Sequence, residues 1–178
     1  MRILAGVPHS RLRVQSVRLG YPDGEAVFAQ RLRSAGLSDG QFQLYGPDTR
    51  EAYLAAYADV DMVLDTFPYP GGTTTVEAMW MGVPTLTLAT PGMLGRQGAC
   101  LLSVAGLADW VCNDAESYVA KAVALASPHE LPRQQLADLR LQLRARLLAS
   151  PLLDAPQFAR DLDQALRGMW QSHCAQQS

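Results

Sequence analysis

The sequence predicts an α/β fold: an open parallel sheet with helices on both faces, followed by two C-terminal helices. Three observations predict it. Short apolar segments alternate with helical patterns in the order β-α-β-α-β-α-β-α-β-α. The connections between them are short, as is usual between neighbouring elements of such a sheet. One segment, "DMVLD" at 61–65, is a near-continuous apolar run of the kind buried on both faces of a parallel sheet.

Each element has its own signal. "LRVQSVRLG" alternates apolar and polar residues from Leu12 to Gly20 and reads as the first strand. In "YPDGEAVFAQRLRSAGL", Ala26, Phe28, Ala29 and Leu32 recur at helical spacing and Gly36 is the stop. "QFQLYG" is a second short strand. Asp48 or Thr49 can cap the helix "REAYLAAYADV", since either side-chain oxygen can accept from the exposed first-turn amides. After "DMVLD" come the helix "TVEAMWMG", the strand "VPTLTLA", the helix "MLGRQGACLLSVAGL" and a short strand "DWVC". "DAESYVAKAVALAS" is a helix with Asp114 as its N-cap. In "ELPRQQLADLRLQLRARLLAS", Leu136, Leu139, Leu143 and Leu147 share a face while Arg140, Arg144 and Arg146 point elsewhere, which favours packing on the domain over a membrane surface. The last helix is "APQFARDLDQALRGMWQSH". The expected organisation is a Rossmann-like domain at 1–128, helices packed on it at 129–173, and a frayed tail at 174–178.

Composition excludes several classes. With 178 residues, 48% hydrophobic and 18% charged, the chain is globular and long enough to bury a core without disulfide or metal staples. A net charge of −2 gives no basic field for nucleic acid. Lys121 is the only lysine, so the arginines reflect genome composition rather than phosphate reading. Cys100, Cys112 and Cys174 form no CxxC and have no histidine at ligand spacing, which points to reduced thiols and no metal site. No signal-like segment and no run of about 18 apolar residues is present, so a cytoplasmic protein with no membrane partner is expected.

The chemistry concentrates in "DTFPYPGGTTTVEAMWMGVP", from Asp65 to Pro84. Ligands of open α/β sheets bind at the carboxyl ends of the strands, where this stretch lies. Gly71 and Gly72 permit close approach to the backbone. Thr73, Thr74 and Thr75 then open a helix whose unpaired amides and positive dipole end attract an anion such as a diphosphate. Neither GxxxxGK[ST] nor GxGxxG is present, so a P-loop and a dinucleotide dehydrogenase are set aside. Glu77 lies one turn after Thr74, where its carboxylate can take both hydroxyls of a ribose. Spacing alone equally allows a capping box in which Glu77 folds back on Thr74. Asp65, at the end of a buried strand, suits ordering the loop better than acting as a general base. Met79 and Trp80 read as core, and His9, His129 and His173 as surface residues.

The segment "ADVDMVLDTFPYPGGTTTVEAMWMGVPTLTL" resembles the nucleotide-binding half of the O-linked N-acetylglucosamine transferase family, which has the glycosyltransferase-B fold. The similarity continues through "GRQGACLLSVAGLADWV", "YVAKAVALA" and "RLLASPLLDAPQFARDLDQALRGMW", from about Val7 to Trp170. The resemblance implies that the family's diphosphate-binding His-Thr-Thr falls on Gly72, Thr73 and Thr74, so the histidine is missing, as is common in bacterial relatives. It places the ribose-binding carboxylate on Glu77, a phosphate-facing cation on Arg50, a base-facing ring on Tyr53, and a backbone contact to uracil near Asp48.

The resemblance further implies a UDP-sugar such as UDP-N-acetylglucosamine as donor, and a metal-free, cofactor-free inverting transfer to serine or threonine of a protein. Thr73 and Thr74 would stabilise the leaving group, and no catalytic residue is assigned. The half that meets the acceptor, and a lysine upstream of "ILAGVPHSRLRV", have no counterpart in this sequence. A non-catalytic UDP-binding remnant, or a module that needs a partner chain, is therefore the alternative, with a sugar epimerase of related fold a third.

Overall fold

The computed structural model describes residues 1–127 and 129–176. The chain opens with α1 (Arg2–Gly6), β1 (Leu12–Gln15), α2 (Gly24–Ser34), β2 (Phe42–Tyr45) and α3 (Arg50–Ala55). It continues with β3 (Val63–Leu64), α4 (Thr73–Trp80), β4 (Thr85–Leu88), α5 (Gln97–Val104), β5 (Val111–Cys112) and α6 (Ala115–Leu125). Two longer helices close it, α7 (Glu130–Leu148) and α8 (Ala155–Gln176).

Every ladder is parallel, and the alternation of strands and helices is the expected one. The hydrogen bonding differs from a single sheet. β1 pairs with β2 alone, while β3, β4 and β5 form a separate three-stranded sheet. β1 and β3 thus each keep one edge without a ladder partner among the described residues.

Two strands are shorter than their sequence patterns. β1 ends at Gln15, because Ser16 accepts from the Arg18 amide and starts a tight helical turn at Val17–Gly20. In "DMVLD" only Val63 and Leu64 pair, and Met62, Val63 and Leu64 are half-buried because β3 is an edge. The strand buried on both faces is β4, whose four residues are all buried between β3 and β5.

The main core gathers Met79, Leu86, Leu102, Leu107, Leu143 and Leu147 around β4. A smaller cluster of Ala29, Leu37 and Phe42 lies under β1 and β2. Gly82, at φ 78°, ends α4: its amide bonds to Met79 O while the Val83 amide bonds to Ala78 O, and the chain enters β4 within two residues. A β-carbon is disfavoured at that positive φ.

α7 behaves as its spacing implies. Leu136, Leu143 and Leu147 enter the main core, Leu139 packs beside them, and the Arg144 guanidinium lies 4.3 Å from the centre of the Trp80 ring. α8 departs from the expectation that it packs on the same domain. None of its residues is buried, and Phe158, Leu162, Leu166, Met169 and Trp170 are exposed along one side. It meets the rest of the chain chiefly through the turn at Pro151–Leu153, which directs it away from the core. The tail expected to fray from Cys174 is instead helical to Gln176, since no glycine or proline interrupts it; the remaining two residues lie outside the described set. Among the described residues no helix is long and apolar enough to cross a membrane.

Candidate functional site

The stretch after β3 is tied to the interior before it reaches the surface. Asp65 is only 6% exposed. Its Oδ1 accepts from the Gly71 amide at 2.6 Å, and its Oδ2 accepts from the Thr87 hydroxyl at 2.7 Å. Its backbone carbonyl accepts from the Tyr118 hydroxyl of α6 at 2.9 Å. Burial pushes the Asp65 carboxyl above the usual range, opposed by the bonds from Gly71 and Thr87. With both oxygens engaged, Asp65 orders the loop and is not placed to take a proton from a ligand. Gly98 of α5 is required at this point, because a β-carbon there would lie 2.4 Å from Asp65 Oδ2.

The loop delivers Gly71 and Gly72 to the start of α4. Gly72 is the N-cap, and no side chain caps the helix. The Thr75 and Val76 amides bond to the Gly72 carbonyl, whereas the Gly72, Thr73 and Thr74 amides have no acceptor among the described residues. A helix start left bare in this way is an anion seat. Thr73 and Thr74 are exposed beside it. The capping box that spacing allowed does not form: Thr74 lies inside the helix and Glu77 turns elsewhere.

Glu77 is 9% exposed and meets α3. Arg50 donates to Glu77 Oε1 at 2.5 Å. Tyr53 and Tyr57 share a hydroxyl–hydroxyl bond of 2.8 Å with their rings edge to face, and Tyr57 donates to the Thr74 carbonyl at 3.4 Å. Burial first, then the bond to Tyr57 and the nearby Glu77 carboxylate, raise the Tyr53 hydroxyl far above its usual range. Both phenols are therefore protonated donors at neutral pH. Arg50, Tyr53, Tyr57, Thr74 and Glu77 form one continuous polar surface between α3 and α4.

The structure thus brings together Arg50, Tyr53, Gly71, Gly72, Thr73, Thr74 and Glu77. Arg50 holds the Glu77 carboxylate rather than standing free for a phosphate. Asp48 stays apart: it is exposed and its Oδ1 accepts from the next amide, Thr49. Thr49, not Asp48, caps α3, accepting from the Ala52 amide at 3.2 Å. Tyr57 was not singled out from sequence, although its place four residues after Tyr53 carried the signal. Gln97 was missed, because only the tertiary arrangement brings it to the glycine pair; Thr75, read from sequence as part of the helix start, has its amide bonded to the Gly72 carbonyl and its hydroxyl beside Gly71. Met79 is fully buried and Trp80 half-buried, as expected of core residues, and His9, His129 and His173 are exposed. Among the described residues no cluster of three or more His, Cys, Asp or Glu side chains could hold a metal ion.

Comparison with known proteins places this geometry in context. The family model described as Glycosyl transferase family 41 matches residues 1–162. A SPINDLY protein of Petunia hybrida, named a probable UDP-N-acetylglucosamine–peptide N-acetylglucosaminyltransferase, is 36% identical over 174 residues, covering 97% of this chain and 18% of the relative. The SEC protein of Arabidopsis thaliana, with the same enzyme name, is 31% identical over 98% of this chain and 17% of its own length. A solved O-GlcNAc transferase mutant of Thermobaculum terrenum superposes with a TM-score of 0.89 at 35% identity, covering 99% of this chain and 33% of that one. The chain therefore spans less than a fifth of these two plant relatives and a third of the solved protein. With a family model matching almost the whole chain and a shared fold, this protein belongs to glycosyl transferase family 41.

Proposed function

We propose that this chain is the UDP-sugar-binding half of a protein O-glycosyltransferase, which transfers N-acetylglucosamine with inversion from UDP-N-acetylglucosamine to serine or threonine of a protein. One observation carries the reading: the bare amides of Gly72, Thr73 and Thr74 open α4, with Glu77 one turn further on and clamped by Arg50. The names of the SPINDLY and SEC relatives support the donor. In this reading residues 1–128 form the donor-binding body. The α4 amides and the Thr73 and Thr74 hydroxyls hold the diphosphate, Glu77 takes the ribose hydroxyls, Tyr53 offers a face to the base, and the backbone near Asp48 meets the uracil edge.

Breaking the glycosidic bond places negative charge on the departing UDP. Preorganised amides and hydroxyls at a helix start stabilise that charge as it develops, without reorganising during the reaction. Glu77 and Tyr53 contribute by fixing the nucleoside so that the diphosphate meets the amides in register. The donor set requires no metal or cofactor, and the protein works in the cytoplasm. Acceptor contacts and the remaining chemistry come from the other half of the catalytic region, so the chain alone binds donor and transfers no sugar.

Calorimetric titration with UDP in the presence of a chelator tests this. Saturable binding is expected, with Glu77→Ala weakening UDP roughly tenfold or more while leaving pyrophosphate binding within about twofold. Absence of UDP binding at millimolar concentration would overturn the reading.

A further inference from the structure

The donors around the glycine pair extend beyond α4's amides. A β-carbon at Gly71 would lie 2.6 Å from Thr75 Oγ1 and 2.7 Å from Thr74 Oγ1, so two hydroxyls converge on the space above it. Thr75 is 2% exposed, yet its hydroxyl has no hydrogen-bond partner among the described residues. The side chain is thus packed while its hydroxyl stays accessible at the glycine pair, where it is free to donate to a ligand. The exposed first residue of α5 reaches the second glycine of the pair. A β-carbon at Gly72 would lie 2.8 Å from Gln97 Nε2, and the Gln97 carboxamide likewise has no partner among the described residues.

We infer that Thr75 and Gln97 form a neutral donor pair that grips the distal phosphate of a nucleoside diphosphate over Gly72. This rests on the UDP-binding reading and deepens it, since α5 then joins α4 as a wall of the diphosphate seat. Charge balance fits neutral donors. Asp65 Oδ1 lies 3.5 Å from the same point above Gly71, and its charge is taken up by the Gly71 amide and, through Oδ2, by Thr87. The phosphate therefore sits toward Gly72, away from that carboxylate, with the Gln97 amide on its far side. The absence of a side chain at Gly72 is what lets the Gln97 amide come this close to the start of α4.

The test compares UDP, UMP and uridine by calorimetry on the parent chain, Thr75→Val, Thr75→Ser, Gln97→Ala and Gln97→Glu, with folding checked by near-UV circular dichroism. Valine keeps the shape of threonine and removes only the hydroxyl, and serine returns it. Thr75→Val and Gln97→Ala are each expected to weaken UDP about tenfold and uridine less than twofold, and Thr75→Ser to restore UDP binding. Gln97→Glu is expected to lose more than Gln97→Ala, because a carboxylate would repel the phosphate. Parent-like UDP affinity in both Thr75→Val and Gln97→Ala would overturn the donor pair while leaving the donor-site reading intact. Equal losses for UDP and uridine would overturn it too, by showing a purely structural role. A folded parent chain that binds no UDP would overturn both proposals together.

Discussion

The β1–β2 pair and the β3–β4–β5 sheet obey the same parallel rule but differ in what they bury. The larger sheet carries a core of many fully buried side chains, reinforced by α5, α6 and α7, whereas Ala29, Leu37 and Phe42 are the buried residues under the smaller one. The proposed diphosphate seat is built entirely on the larger sheet: Asp65 follows β3, α4 runs from the seat to β4, and Thr87 and Tyr118 hold the loop from β4 and α6. Arg50, Tyr53 and Tyr57 lie on the connection between the two parts. A site that must present bare amides in fixed register needs the stiffer support, and the nucleoside contacts can tolerate the softer one.

The sharpest way to break this contrast is to hollow each part. Leu102→Ala, at a fully buried position, is expected to cost about 3–5 kcal/mol in urea unfolding. Leu44→Ala, at a half-buried position over the small cluster, should cost about 1 kcal/mol and leave UDP affinity within twofold. Similar costs for the two, with parallel loss of binding, would mean that both parts unfold as one unit.

Asp65→Asn comes next. It should weaken UDP about fivefold by loosening the Gly71 amide, since an amide oxygen accepts less strongly than a carboxylate. Its pH signature has a definite sign. The folded state raises the Asp65 pKa, so the group's stabilising contribution is complete below the ordinary carboxylate range and is lost as pH rises through the raised value. The parent should therefore gain stability relative to Asp65→Asn when pH falls from 7 to about 4, as read by melting temperature. A constant difference across that range would remove Asp65 from the account.

Tyr118→Phe deletes only the hydroxyl bonded to the Asp65 carbonyl and is expected to cost about 1 kcal/mol. The smallest effect should come from Tyr57→Phe, which loses long or shared bonds in the connecting segment, about 0.5 kcal/mol and at most a twofold change in UDP affinity. A larger effect from Tyr57→Phe than from Tyr118→Phe would reverse the ranking of the two parts.

The sequence made most elements legible because their signals are local. Thr49 and Asp114 cap α3 and α6, and Gly82 and Gly36 take the positive φ that ends their helices. Its helical spacing also placed Leu143 and Leu147 in the core. The division into two sheets was not legible, since strand pairing depends on partners that period-two patterning does not name. Nor was the exposure of α8, because an apolar stripe looks the same whether it is covered or not. At the site, Gly72, Thr73, Thr74 and Glu77 could be read from one continuous stretch. The Arg50–Glu77 contact and the place of the Gln97 amide depend on helices meeting in space.

The Asp65 carbonyl is held by a hydroxyl far downstream, and its carboxylate by Thr87 on the neighbouring strand. The glycine–threonine segment is therefore not a portable motif. Grafted onto another strand–helix junction, it would bring its hydroxyls and its bare amides but not the two anchors that set the loop's height above the sheet. Homology searches can recognise the segment by its letters, yet an engineer who wanted its anion seat would have to transplant β3, β4 and α6 with it.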